Sequence, residues 1–134
     1  MRFAWLFLAA FSLQAVDFQK DIQPLLKNKC SRCHSGHEAK GGFSINTRTT
    51  LLDAAKPGDS AGSTLFKLIT SKDPDERMPS KGEPLKPEEI ALIKAWIDEG
   101  ITWPEGYNFA EWRRAPLALR KVALPAGPGN PVDR

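Results

Sequence analysis

Cys30-Ser31-Arg32-Cys33-His34 is the stretch on which the reading of this chain turns. Two thiols stand three positions apart, and an imidazole follows the second at once. Each thiol can add to one of the two vinyl groups on the edge of a haem, which makes two thioethers. Three residues at the end of a helix set both sulfurs on one side of the backbone, a vinyl-to-vinyl distance apart. The next residue then lies under the ring, where an imidazole nitrogen can bind the iron. The pentapeptide therefore predicts one covalently attached haem c, bound through Cys30 and Cys33, with His34 as proximal iron ligand. Two other chemistries use these residue types. A redox disulfide of the thioredoxin sort needs a strand–helix–strand frame, and no such pattern flanks the motif. A zinc site made of Cys30, Cys33, His34 and His37 would crowd all its ligands into eight residues, tighter than the usual finger spacing.

The bulk numbers fit a small globular carrier of a cofactor. The chain has 134 residues, room for one small domain. A formal charge of +3, with Lys and Arg scattered, gives no footprint for nucleic acid. The two Cys of the motif are the whole supply, so no disulfide framework can staple the core. A large apolar cofactor at its centre would serve instead.

The first fifteen residues read as a signal peptide. Arg2 supplies the positive start, Phe3 to Leu13 is almost wholly apolar, and Ala15 is a small residue at a plausible cleavage point. The apolar run is shorter than the roughly 20 residues that span a bilayer. Export to the periplasm or another extracytoplasmic space follows. If the segment stays uncleaved, it is the chain's only membrane contact.

Helical periodicity organises the rest. Asp17 to Cys30 looks helical, with Phe18, Ile22, Leu25 and Leu26 on one face. Pro24 belongs in a first turn, so the regular helix is expected to start near Ile22. A polar loop from Ser35 to Gly42 leads into an extended piece around Phe43 to Asn46, then a short apolar turn from Leu51 to Ala55. After the turn signal Pro57-Gly58-Asp59, Ser60 or Ser63 can cap a helix through Thr70 that buries Leu65, Phe66, Leu68 and Ile69. Asp73 to Pro87 is a proline-stiffened loop. The clearest helix runs from about Pro87 to Glu99, with Ile90, Ile93, Trp96 and Ile97 as its buried stripe and Gly100 as its stop. From Pro104 to Arg134 no period persists, and five of the eleven prolines fall there, so this part reads as a linker or tail. The fold class is all-α: one small helical domain, residues 16–103, wrapped around one haem.

The second axial ligand can be reached by counting. Met1 goes with the signal peptide, which leaves Met78 as the one thioether. It sits in the polar loop Asp75-Glu76-Arg77-Met78-Pro79, away from any periodic apolar face that would explain it as packing. A soft thioether on a stiff loop suits iron and raises its potential, so Met78 is the expected distal ligand. His37 competes, but it lies three residues past His34 and reaches the opposite haem face with difficulty. An open sixth position is the third possibility. Trp96, Trp103, Phe43, Leu65 and Ile93 are expected to line the pocket.

Several motifs occur in order along the chain: Val16-Asp17-Phe18, Asp21-Ile22-Gln23-Pro24-Leu25, the pentapeptide, Lys40-Gly41-Gly42-Phe43, Pro57-Gly58-Asp59 and Asp73-Pro74-Asp75-Glu76-Arg77-Met78-Pro79. Lys81-Gly82-Glu83-Pro84-Leu85 and Ala95-Trp96-Ile97-Asp98-Glu99-Gly100 complete the series. Together they resemble the planctomycete-type cytochrome c domain over roughly residues 16–103. That resemblance implies a c-type cytochrome fold and a distal Met at the Arg-Met-Pro loop, here Met78. Ser80 departs from the pattern, since the family commonly repeats Pro there. The family domain usually opens a longer exported protein. Trp112 and Pro116 look like the family linker, and Asn130 to Arg134 resembles the start of a following domain; Glu111, Arg113 and Arg114 depart from the usual linker form.

The expected function is an exported mono-haem electron carrier with His/Met-ligated iron, an electron-transfer role that leaves enzyme activity open. It would exchange electrons with a partner redox protein and need haem-ligation machinery for maturation. Two alternatives stand beside it: a haem peroxidase or sensor with a labile sixth ligand, and a redox module serving a downstream catalytic domain.

Overall fold

The computed structural model describes residues 15–37 and 39–111. The expected signal peptide, apart from Ala15, and the tail beyond Glu111 lie outside the described residues. Among those described, the chain is helical with no strand, and an isolated bridge between Lys56 and Asp59 is the only β-type pairing. This is the all-α class that the sequence predicts. No helix among the described residues is long and apolar enough to cross a membrane.

A π-helical turn, Phe18–Ile22, opens the domain and runs directly into α1, Gln23–Lys29. Asp17 starts it: its Oδ1 accepts from the Lys20 N–H at 2.9 Å. Pro24 stands in the first turn of α1, where its missing N–H costs nothing. Phe18, Ile22, Leu25 and Leu26 are all buried, as the periodicity requires. The chain then makes α2, Ser31–His34, a single helical turn that carries most of the pentapeptide.

α3, Arg48–Leu51, is an element that the apolar run at Leu51 to Ala55 does not announce. Thr47 and Thr50 define it, because the Thr47 Oγ1 accepts from the Thr50 N–H at 3.3 Å and the Thr50 Oγ1 accepts from the Thr47 N–H at 3.2 Å. α4, Thr64–Thr70, follows Ser63. Ser63 occupies the cap position but does not cap. Its hydroxyl donates to the Asp59 carbonyl at 2.7 Å and accepts from the Lys56 N–H at 2.8 Å, so it ties the preceding turn. Leu65 and Ile69 are buried, whereas Phe66 and Leu68 keep part of their surface exposed, unlike the expectation.

α5, Pro87–Asp98, packs on α4 and on the Phe18 turn. Ile93, Trp96 and Ile97 are fully buried, and Ile90 is half-buried. Its end is a Schellman turn: the Gly100 N–H donates to the Ile97 carbonyl at 3.0 Å and the Ile101 N–H to the Trp96 carbonyl at 2.9 Å. Gly100 takes a φ of 99°, open to glycine, but Ile101 also takes a positive φ, 59°. Arg48 holds this turn from α3. Its Nε donates to the Ile101 carbonyl at 3.0 Å and its Nη2 to the Gly100 carbonyl at 3.1 Å.

Residues past Trp103 also pack against the core. Phe109 is fully buried, and its N–H donates to the Asn46 carbonyl at 2.9 Å. Tyr107 accepts from Gln23 at 2.8 Å through its hydroxyl. Phe18 gathers Trp103 and Tyr107 at ring separations of 4.7 and 5.5 Å, and Phe109 closes the cluster 5.7 Å from Trp103. These ring contacts join the segment after Trp103, which has no helical period, to the core.

Asp98 joins the end of α5 to the 57–63 turn. It accepts from Lys94 Nζ at 2.6 Å and from the Ser60 N–H at 3.0 Å. These bonds, that from Lys94 foremost, lower the Asp98 carboxyl to about 2. Because the folded value lies below the unfolded one, the carboxylate favours the fold above about pH 4 and loses that contribution as pH falls through about 2. Asp98→Asn is expected to lower the melting temperature slightly at pH 7, and the gap should close in melts taken from pH 4 down to pH 2. The site is exposed, so added salt should shrink it too. A gap that persists unchanged at pH 2 would contradict this account.

Candidate functional site

The pentapeptide folds as one continuous turn. The Cys33 and His34 N–H groups both donate to the Cys30 carbonyl, at 3.2 and 3.0 Å, and α2 is anchored by the Ser31 hydroxyl donating to the Lys27 carbonyl at 2.6 Å. Cys30, Cys33 and His34 are thus brought together on one helical turn, each half-buried, and both thiols are free. The apolar surroundings push the Cys30 thiol up to about 12, and Cys33 adds to this while Lys29 offsets part of it. Such a thiol stays protonated at neutral pH, unlike the low-pKa thiolate of a thioredoxin-type redox pair. Among the described residues no three His, Cys, Asp or Glu side chains converge as a metal-binding group.

His34 is held from the following loop. Its Nδ1 lies 3.1 Å from the Lys40 carbonyl and 3.3 Å from the Phe43 carbonyl. Carbonyl oxygens only accept, so Nδ1 must carry the proton, and the lone pair is then on Nε2. The Phe43 ring meets the imidazole edge-on at 5.2 Å, and the His34 carbonyl accepts from the Ile45 N–H at 2.7 Å. Gly41 and Gly42 make this clamp possible. Both take left-handed φ values, 70° and 68°, and the chain reverses within the 3-10 turn Lys40–Gly42 so that carbonyls on either side of it face one ring. The Asn46 side chain closes the loop by bonding Gly36 on both its N–H and its carbonyl, each at 2.9 Å. His37 is exposed on this loop.

Met78 lies on the α4–α5 loop, half-buried and packed against the same apolar core as Cys30 and Phe43. The Met78 N–H donates to the Leu68 carbonyl at 3.0 Å, which fixes the loop to the end of α4. Asp73 shapes the turn before it. Its carbonyl accepts from Arg77 at 2.9 Å and its Oδ1 from Asp75 at 2.9 Å. Hydrogen bonds from Asp73 and Leu68 thus hold this loop in addition to its prolines, and an Asp opening a polar turn was the signal available for the first. The peptide bond between Met78 and Pro79 is cis.

The expected pocket lining divides. Trp96, Ile93 and Leu65 belong to the protein core, with at most 7% exposure, and Trp103 to the aromatic cluster. Phe43 keeps exposed surface beside His34, as Phe66, Leu68 and Leu92 do elsewhere on the domain. The donor set fits a c-type haem. It offers two free thiols at the attachment spacing, an imidazole whose ring is oriented through Nδ1, and a thioether on an anchored loop.

An all-helical domain carrying this turn has the make-up of a c-type cytochrome. Residues 30–82 match the model of the family described as Planctomycete cytochrome C. That span holds the pentapeptide, the His34 clamp, α3, α4 and the Met78 loop, and it is the family that the ordered motifs resemble. Neither among the curated proteins nor among the solved structures does anything match the chain.

Proposed function

We propose that this chain is an exported mono-haem cytochrome that passes single electrons, with Cys30 and Cys33 as thioether anchors and His34 and Met78 as axial ligands. The observation that carries the reading is the double carbonyl clamp on His34 Nδ1, at 3.1 and 3.3 Å. It leaves Nε2 as the one ring nitrogen able to ligate, and it fixes the plane of the imidazole before any metal arrives. The haem, when bound, supplies an iron that accepts and gives up one electron between its ferric and ferrous states.

The chain's own residues supply the rest. Met78, a soft and neutral donor, favours the ferrous state. The anchored loops limit movement at both axial positions, which keeps reorganisation on electron transfer small. Phe43 offers partly exposed apolar surface beside His34 for a macrocycle to cover. The occupant of the partner role is a redox protein met outside the cytoplasm, in keeping with the signal-like residues 1–15.

Potentiometric titration of the matured protein tests this. A single wave that follows a one-electron Nernst curve, reversible and without substrate, is the expected result. A second wave would refute the single redox centre, and turnover of peroxide at a rate far above that of free haem would move the chain to the enzyme class.

A further inference from the structure

We propose that Arg77 holds a propionate of the haem and thereby helps to set its potential; this rests on the reading of Cys30, Cys33, His34 and Met78 as the haem site. Arg77 precedes the candidate distal ligand directly. It is half-buried, and its Nε is enclosed with no hydrogen-bond partner. An enclosed guanidinium nitrogen without an acceptor is costly, because desolvation is not compensated.

The loop offers acidic partners and does not use them. Asp73, Asp75 and Glu76 stand within four positions, yet among the described residues no ion pair joins any of them to Arg77. The Asp73 carbonyl takes the Arg77 backbone N–H, and the Asp73 carboxylate takes the Asp75 N–H, so that acid is committed to the turn. Among the described residues the Arg77 Nε therefore has no acceptor, and a bound group could supply one.

A haem brings one. Its two propionates are carboxylates on the edge of the macrocycle remote from the vinyl groups. Thioethers at Cys30 and Cys33 fix the vinyl edge at α2, which leaves the propionate edge to other elements of the site. A guanidinium fork matches a carboxylate with two parallel N–H bonds, and the pair is stronger where water is excluded. Neutralising one propionate removes negative charge near the iron and favours the ferrous state. Among the described residues, the Arg77 Nε is the unsatisfied half of that pair.

The test uses the holoprotein with its covalent haem. In the ferrous wild type, a nuclear Overhauser cross-peak is expected between the Arg77 Nε–H and the propionate methylene protons. Arg77→Gln is expected to lower the midpoint potential while the ferric near-infrared thioether band persists, and Arg77→Lys should recover part of the loss because it keeps the charge. Absence of the cross-peak overturns the proposal, and so does an unchanged potential in Arg77→Gln. If Arg77→Gln fails to accumulate as holoprotein, the wild-type cross-peak decides alone. A wild type that lacks the near-infrared band refutes Met78 ligation instead, and the cross-peak is then read in the carbon monoxide-bound ferrous protein, where it decides Arg77 separately.

Discussion

Cys30→Ala combined with Cys33→Ala yields a chain from which acidic acetone extracts whatever haem is present, and whose helix content by circular dichroism falls far below that of the wild type. In the wild type the haem stays with the polypeptide under the same extraction. The first half follows from the chemistry of attachment: with both thiols gone, no thioether can form. The second half follows from size. The longest helix has 12 residues and the others described have seven or fewer, lengths that are marginal alone in water. No disulfide closes the domain, since both cysteines are free. Phe43 and Met78, at the proposed site, keep exposed surface that a bound macrocycle would cover. Binding to the folded state alone stabilises it by mass action, and a covalent haem acts as if present at very high concentration. Haem that leaves the wild type in acetone would refute the attachment. A haem-free double variant that melts cooperatively with native helix content would refute the dependence on haem.

Met78→Ala opens the iron to outside ligands and lowers its potential. A thioether is a weak, neutral donor that favours ferrous iron. With sulfur bound, both axial positions are filled, so ferrous protein should take up carbon monoxide slowly and ferric protein should show the weak near-infrared band of thioether-to-iron charge transfer. The variant should lose that band and bind carbon monoxide fast, by orders of magnitude relative to the wild type. The loop itself should survive, because Met78 is anchored through its backbone N–H to Leu68, which an alanine retains. Wild-type protein that already binds carbon monoxide fast would make the peroxidase or sensor reading the better one. A variant spectrum identical to that of the wild type would send the search to His37 or a lysine.

Much of the fold was legible because it is local. Phe18, Ile22, Leu25 and Leu26 recur at helical spacing and are all buried, and Ile93, Trp96 and Ile97 do the same on α5. Proline at the first turn and glycine past the last bound α5 within a residue of expectation. These signals act within a few positions, where chain geometry alone decides which side chains share a face. The turn is equally local, since three of the four groups proposed for the site, Cys30, Cys33 and His34, lie within five residues.

The remainder depended on contacts that no period encodes. Phe66 and Leu68 fit the apolar pattern of α4 but keep exposed surface, because a period defines a face and not what covers it. Phe109 is core because Asn46 receives its N–H and Trp103 and Tyr107 surround it, which a proline-rich sequence does not reveal. Arg48 looks like a surface charge in the sequence, yet it closes the turn after α5 from 53 residues away.

By itself, then, the sequence determined the helical class, and it singled out the Cys30–His34 turn and Met78 as the groups proposed for a haem. The tertiary structure alone decided which His34 nitrogen meets backbone carbonyls, that the Arg77 Nε has no acceptor among the described residues, and that Phe109 is core. The physical reason is common to all three. Each depends on where backbone carbonyls or buried surfaces from distant segments come to rest, and a hydrogen-bond acceptor has no signature in the residue that contributes it, because every residue carries the same carbonyl.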